Sequence, residues 1–330
     1  MSTIYLPIIA LLAGLLGLVW GADKFVTGSV GVARNFGISS MIIGLTVVSI
    51  GTSAPEIIVS INAALSDVGG LAVGNALGSN LANMGLVLGI TTLVAPLPVQ
   101  TRLLKEESPV LLLITVLAGL CLYDGQLNRG ESIALGLMVI PVIAIMVKYK
   151  KNHPSPEVAD DVSVTTDASM KTSGLWLLIG LAILLLSAEV TVWSATSIAH
   201  FFGISDLIVG LTIVAIGTSL PELAASIVSV TKGHHDIAVG NIFGSNLFNL
   251  LLVMTTAGAI APIALPSDVF SRDYLSLLVM TLLMIGLVGW TVRKNRHVES
   301  VARLSKFVGV ILLTSYALYY VVLWSSLTVS

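Results

Sequence analysis

The sequence predicts an all-α membrane protein of ten transmembrane helices, arranged as two inverted five-helix repeats. Three observations carry this. Of 330 residues, 55% are hydrophobic and only 10% are charged, with a mean hydropathy of +0.98. A soluble domain carries about 25% charged residues, and so few charges could not cover a soluble surface of this size. Apolar runs of about 20 residues recur, the length an α-helix needs to cross a bilayer, whereas a barrel strand needs about ten. Finally, the chain repeats itself.

Apolar runs read against polar breaks give helices at 3–33, 39–66, 71–97, 107–122, 130–147, 174–199, 205–231, 236–264, 273–292 and 304–326. The first has no basic leader and no clear cleavage site, so it reads as a span rather than a signal peptide. Residues 1–147 form the first repeat, 148–173 a cytoplasmic linker and 174–330 the second repeat. The linker holds Pro154, Pro156 and four acids and is too short and polar to build a core of its own. With one cysteine, Cys121, the chain has no disulfide framework and no Cys-based metal site. The basic residues sit in short loops, which gives no nucleic-acid-binding surface.

The duplication is explicit. Gly44 to Glu56 reads GLTVVSIGTSAPE and Gly210 to Glu222 reads GLTIVAIGTSLPE, identical at ten of 13 positions. Ala72 to Asn83 reads AVGNALGSNLAN and Ala238 to Asn249 reads AVGNIFGSNLFN, identical at nine of 12. Both pairs share one offset of 166, as do the acids Asp23 and Glu189. Five helices per copy is an odd number, so the second copy is inverted. With both termini outside, fourteen Lys and Arg fall on the inner side, and only Arg129 and Arg272 on the outer. That asymmetry follows the positive-inside rule. Inverted repeats are a transporter architecture, with the substrate site expected at mid-membrane between the copies.

The chemistry concentrates in the repeated motifs. Glu56 and Glu222 lie deep in the second and seventh helices. An ionised acid there costs about 2.5–3.5 kcal/mol even on the lenient insertion scale. Neither helix supplies Lys or Arg at that depth, so the expected partner is a mobile cation or a proton. The competing reading is a protonated Glu bonded to a neighbouring helix. Thr52 and Ser53 share a helix face with Glu56, as Thr218 and Ser219 do with Glu222. Pro55 and Pro221 lack an N–H and interrupt each helix about one turn earlier, near Gly51 and Gly217. Carboxylate, hydroxyl and carbonyl oxygens together suit a hard cation such as calcium. On the third and eighth helices, Asn75, Ser79 and Asn83, and again Asn241, Ser245 and Asn249, form polar stripes at a spacing of four. Asn75, Asn80, Asn241 and Asn246 are expected mainly to hold helices together. Asp23 and Glu189, placed near loops, suit either a structural ion pair or a gate.

At the paired G-T-S-x-P-E and G-N-x-x-G-S-N-x-x-N motifs the sequence resembles the sodium/calcium exchanger family of the calcium/cation antiporter superfamily. It is most similar to small bacterial members without a regulatory domain, over nearly the whole chain. The resemblance implies ion-binding acids at Glu56 and Glu222, and hydroxyl ligands at Thr52, Ser53, Thr218, Ser219, Ser79 and Ser245. It implies carbonyl ligands at Ser49 and Ala215, a polar pair at Asn83 and Asn249, and first and sixth helices that slide to switch access. Some exchangers carry Asp where this chain has Asn249, which leaves calcium as substrate and opens the counter-ion.

Together these readings predict a secondary antiporter that exchanges calcium for sodium and extrudes calcium across a bacterial inner membrane. It needs no cofactor beyond the transported ions, and its partners are calcium, sodium and the lipid bilayer. A calcium/proton antiporter would use the same two Glu residues. A cation channel would pass ions without counter-ion dependence. An intramembrane hydrolase would need a nucleophile–base pair or a motif such as H-E-x-x-H, and none is present.

Overall fold

The computed structural model describes residues 2–99, 101–152, 169–203, 213, 215–295 and 302–329. Among the described residues, fourteen helical segments and four short strands follow one another. They run α1 (Ser2–Phe36), α2 (Ser40–Thr52), α3 (Ala54–Leu65), α4 (Gly69–Val94), β1 (Leu97–Val99), α5 (Thr101–Lys105), α6 (Glu107–Leu122), β2 (Gln126–Leu127), α7 (Arg129–Leu137) and α8 (Val139–Asn152). The second half holds α9 (Met170–Phe201), α10 (Ala215–Gly217), α11 (Leu220–Thr231), α12 (His235–Ile260), β3 (Ile263–Ala264), α13 (Val269–Lys294), β4 (Ala302–Leu304) and α14 (Lys306–Val329).

Among the described residues seven helical stretches are long and apolar enough to cross a membrane, and eight if the bent pair α2–α3 counts as one span. The chain is therefore a multi-pass membrane protein. Helix α6, at 16 residues, and α11, at 12, are shorter apolar segments. The expected linker begins later and ends earlier than its composition suggested. Helix α8 continues to Asn152 and α9 starts at Met170, and the 153–168 part of the linker lies outside the described residues.

Local chemistry sets the boundaries. Gly37, at φ 63°, turns the chain between α1 and α2. The Ser39 hydroxyl then caps α2 by accepting the Ile42 N–H at 3.4 Å. Helix α7 opens on a capping box, with Asn128 N–H donating to Glu131 at 3.1 Å. The expected third and eighth helices, 71–97 and 236–264, stop short at Val94 and Ile260. The cause is proline. Ala95 (φ −144°, ψ 138°) precedes Pro96, and Ala261 (φ −142°, ψ 137°) precedes Pro262. A residue before proline is pushed out of the helical region. The chain that follows is extended and makes two unexpected ladders. β1 pairs antiparallel with β4 (Leu97 opposite Leu304), and β2 with β3 (Leu127 opposite Ile263).

The helices gather into two compact units, each drawing on both halves of the sequence. The first comprises Met1–Pro55 and Lys150–Asn241. Its backbone is an antiparallel pair, α1 against α9, joined along a seam of small residues. Gly14 and Gly17 meet Ser187 and Thr191 at one end, and Gly31 meets Ser173 at the other. A Cβ on Gly21 would stand 2.6 Å from the Leu184 backbone nitrogen, so only glycine permits that approach. Phe25, Val26, Val48, Leu184, Ala225 and Ile237 fill the core beside this pair.

The second unit comprises Glu56–Tyr149 and Ile242–Ser330. In it α14 seats on the C-terminal half of α4, where a Cβ on Gly309 would come within 2.7 Å of the Gly89 carbonyl. Likewise α7 seats on the C-terminal half of α12, with Gly136 beside Thr255 and Gly258 beside Ser132.

Candidate ion-binding site

Both G-T-S-x-P-E motifs fold into a broken helix. At Ser53 (φ −83°, ψ 6°) the span bends by 43°, and Ser219 repeats the conformation (φ −90°, ψ 5°) at the 166-residue offset. This bridge region of backbone space is sparsely used and is common at functional positions. Pro55 and Pro221 stand second in the helices that follow, where their missing N–H costs nothing. Glu56 and Glu222 then fall in the first turns of α3 and α11, where the helix dipole favours negative charge. Both are completely buried.

In the first unit the predicted ligands come together. Ser53 Oγ donates to Glu222 Oε1 at 3.1 Å. Thr52 Oγ1 donates to Asn241 Oδ1 at 3.1 Å. Asn241 Nδ2 in turn donates to the Glu222 carbonyl at 3.3 Å and to Ser226 Oγ at 3.2 Å. Thr52, Ser53, Glu222, Asn241 and Ser226 are all fully buried. The Ser49 carbonyl accepts the Ser53 N–H at 3.0 Å and lies 3.4 Å from Thr52 Oγ1. Ser219 is buried, and its hydroxyl has no hydrogen-bond partner among the described residues. Thr218 is half-buried, and Ala215 opens the short turn α10.

In the second unit the pattern differs. Asn75 Nδ2 donates to the Glu56 carbonyl at 3.4 Å, matching the Asn241 bond of the other repeat. Asn80 Nδ2 donates to the Asn246 carbonyl at 3.1 Å and ties α4 to α12. These bonds meet the expectation that the outer asparagines hold helices together. Ser79, Asn83, Ser245 and Asn249 are as deeply buried. Yet the hydroxyls of both serines, and both amide atoms of both asparagines, have no hydrogen-bond partner among the described residues. More than nine in ten buried polar groups are normally satisfied, and each orphan costs about 1–3 kcal/mol. Here the same two positions, one Ser and one Asn, are orphaned in each repeat. Asn83 and Asn249 also open widened π-helical turns, Asn83–Val87 and Asn249–Val253. Such turns are frequent at functional sites.

Among the described residues no three His, Cys, Asp or Glu side chains converge on a metal position. A cation held here would rely on a carboxylate supplemented by hydroxyl, amide and carbonyl oxygens, the donor set of hard ions.

Asp23 and Glu189 lie inside α1 and α9, and Asp23 reaches the loop that begins at Lys232. Glu189 is exposed, and the Asp23 charge is tolerated because it is paired. Lys232 Nζ meets Asp23 Oδ1 at 2.5 Å and Thr27 Oγ1 at 2.7 Å. Lys24 meets Asp23 at 3.2 Å while lying over the rings of Trp20 and Trp176. Lys232 was the residue that sequence reasoning missed here. Its repeat equivalent is Ser66, so the duplication carries no signal for it.

Known proteins resemble the chain over nearly its whole length. Residues 6–148 and 172–325 match the family described as sodium/calcium exchanger protein. The chain is 42% identical over 286 residues to the inner membrane protein YrbG of Escherichia coli (strain K12), covering 85% of this chain and 87% of that one. It is 29% identical over 352 residues to the sodium/calcium exchanger MaX1 of Methanosarcina acetivorans, covering 95% and 97%. A solved structure of the sodium-calcium exchanger NCX_Mj, soaked with zero Na+ and Ca2+, superposes with a TM-score of 0.81 at 29% identity, covering 97% of this chain and 99% of that one.

Proposed function

The chain belongs to the sodium/calcium exchanger protein family, and from that premise we propose that it is a secondary antiporter exchanging calcium for sodium by alternating access. One observation carries the reading furthest. The hydroxyls of Ser79 and Ser245 and the amides of Asn83 and Asn249 are buried without partners in both repeats, in a chain whose two broken helices each bury an acid. Neutral oxygens buried without protein partners, in a chain that also buries two carboxylates, suit a dehydrated cation. The solved exchanger NCX_Mj and the exchanger MaX1 lend support from their own names.

The mechanism follows from charge. Glu56 and Glu222 bring −2, which one calcium ion neutralises, as do two monovalent cations. Calcium and sodium therefore compete. An empty, charged carboxylate is costly to occlude in a dry barrier, so only the loaded protein switches. Ten spans in two inverted copies, both termini outside and the linker in the cytoplasm complete the proposal, on the strength of the charge asymmetry. A bacterial inner membrane and calcium extrusion belong to the same reading.

A calcium/proton antiporter is the second reading, because Asn249 adds no third acid and two protons would balance the same charge. Calcium uptake into proteoliposomes separates the two. An outward sodium gradient should drive uptake, and a proton gradient without sodium should not. The reverse result would install the proton reading.

A further inference from the structure

We propose that Asn241 is a positioning residue that turns the Thr52 hydroxyl so that its lone pairs, rather than its proton, face a bound cation. The inference rests on the reading of Thr52 as an ion ligand and adds a role for a residue outside that ligand set. A chain of hydrogen bonds fixes the orientation of the Asn241 amide. The carbonyl oxygen of Glu222 can only accept, so the Asn241 atom 3.3 Å from it must be the amide nitrogen. That nitrogen also lies 3.2 Å from Ser226 Oγ, which gives its two protons two acceptors. The amide oxygen of Asn241 is then the atom 3.1 Å from Thr52 Oγ1. An amide oxygen only accepts, so Thr52 must donate.

A hydroxyl carries one proton and two lone pairs. With the proton committed to Asn241, Thr52 has only lone pairs to offer elsewhere, and a cation is attracted by lone pairs and repelled by the hydroxyl proton. The competing acceptor, the Ser49 carbonyl, is farther away at 3.4 Å. Thr52, Glu222 and Asn241 are fully buried, so water does not substitute for the bond. The Asn241 amide thus sets the polarity of a hydroxyl on α2.

The test is a double-mutant cycle on calcium affinity in the purified full-length protein. Affinity is read from the calcium concentration that half-maximally raises the melting temperature and from calcium uptake in proteoliposomes. Asn241→Leu should raise the half-maximal concentration about tenfold, the equivalent of one lost hydrogen-bond-sized interaction. In a Thr52→Val background the same change should move it less than about twofold, because no hydroxyl remains to orient. A Thr52→Ser background should restore the tenfold sensitivity. A purely structural Asn241 would act equally in all three backgrounds, and that result overturns the proposal. Asn241→Ser, too short to reach Thr52, runs the same cycle if the leucine variant does not fold. A wild-type protein that neither takes up calcium nor is stabilised by it overturns the exchanger reading, and this inference with it.

Discussion

Asn75 and Asn241 lie eight residues ahead of Asn83 and Asn249 on the same two helices, yet the two levels spend their amides in opposite ways. At the first level each amide donates to the carbonyl of its own repeat's buried acid, at 3.4 and 3.3 Å. At the second level neither amide meets a described hydrogen-bond partner, although burial is complete. A bonded buried amide stabilises the fold. An orphaned one costs stability, and on the proposed function its presence in both copies keeps oxygens available for the transported ion. Residue type and spacing are the same at both levels, so only the partners distinguish scaffold from site.

The largest expected effect lies with the acids. Glu56→Gln and Glu222→Gln should each abolish calcium exchange while the protein still inserts and elutes as a folded species. Either variant retaining calcium flux would remove that acid from the site. The next effect splits the two levels. Asn83→Leu and Asn249→Leu should sharply reduce transport while leaving the melting temperature equal or higher, since an orphaned amide is removed. Asn75→Leu and Asn241→Leu should lower stability by about 1–2 kcal/mol, because satisfied bonds are lost. Equal loss of stability in all four variants would erase the distinction.

A smaller and more selective change is expected from Asn249→Asp. A third acid demands a third positive charge, so the dependence of calcium flux on sodium should steepen. Where the new carboxyl holds its proton at neutral pH, flux should instead become pH-dependent on the alkaline side. Curves identical to wild type in both sodium and pH would return Asn249 to helix packing. The smallest effect belongs to Lys232→Gln. Its pair with Asp23 is about one-third exposed, and exposed pairs contribute at most about 1 kcal/mol. The melting temperature should drop slightly at low salt and match wild type at high salt, where the charges are screened. A large, salt-insensitive loss would show that the pair does more than staple α1 to the end of α11.

The sequence made some of this visible for physical reasons. A carboxylate inside a 20-residue apolar run is costly enough to be conspicuous, and the 166-residue offset doubles the signal. Helix breaks at Ser53 and Ser219 follow from proline chemistry that is local. Pro96 and Pro262 stop helices by the same local chemistry, although the expected helices 71–97 and 236–264 run through both. The strands after them were not legible, because β1 finds its partner at residues 302–304, some two hundred positions away. The Asn levels were legible as stripes but not as scaffold and site, since satisfaction depends on neighbouring helices. Lys232 and Asp23, 209 residues apart, could be paired only in three dimensions.

Competition between the two ions tests the central claim most directly. Calcium-dependent stabilisation of the purified protein can be titrated at increasing sodium concentration, with choline holding ionic strength constant. If the same carboxylates serve both ions, the calcium midpoint should shift steadily to higher concentration while the maximal stabilisation stays the same. A midpoint that does not move with sodium would contradict exchange through a shared pair of acids.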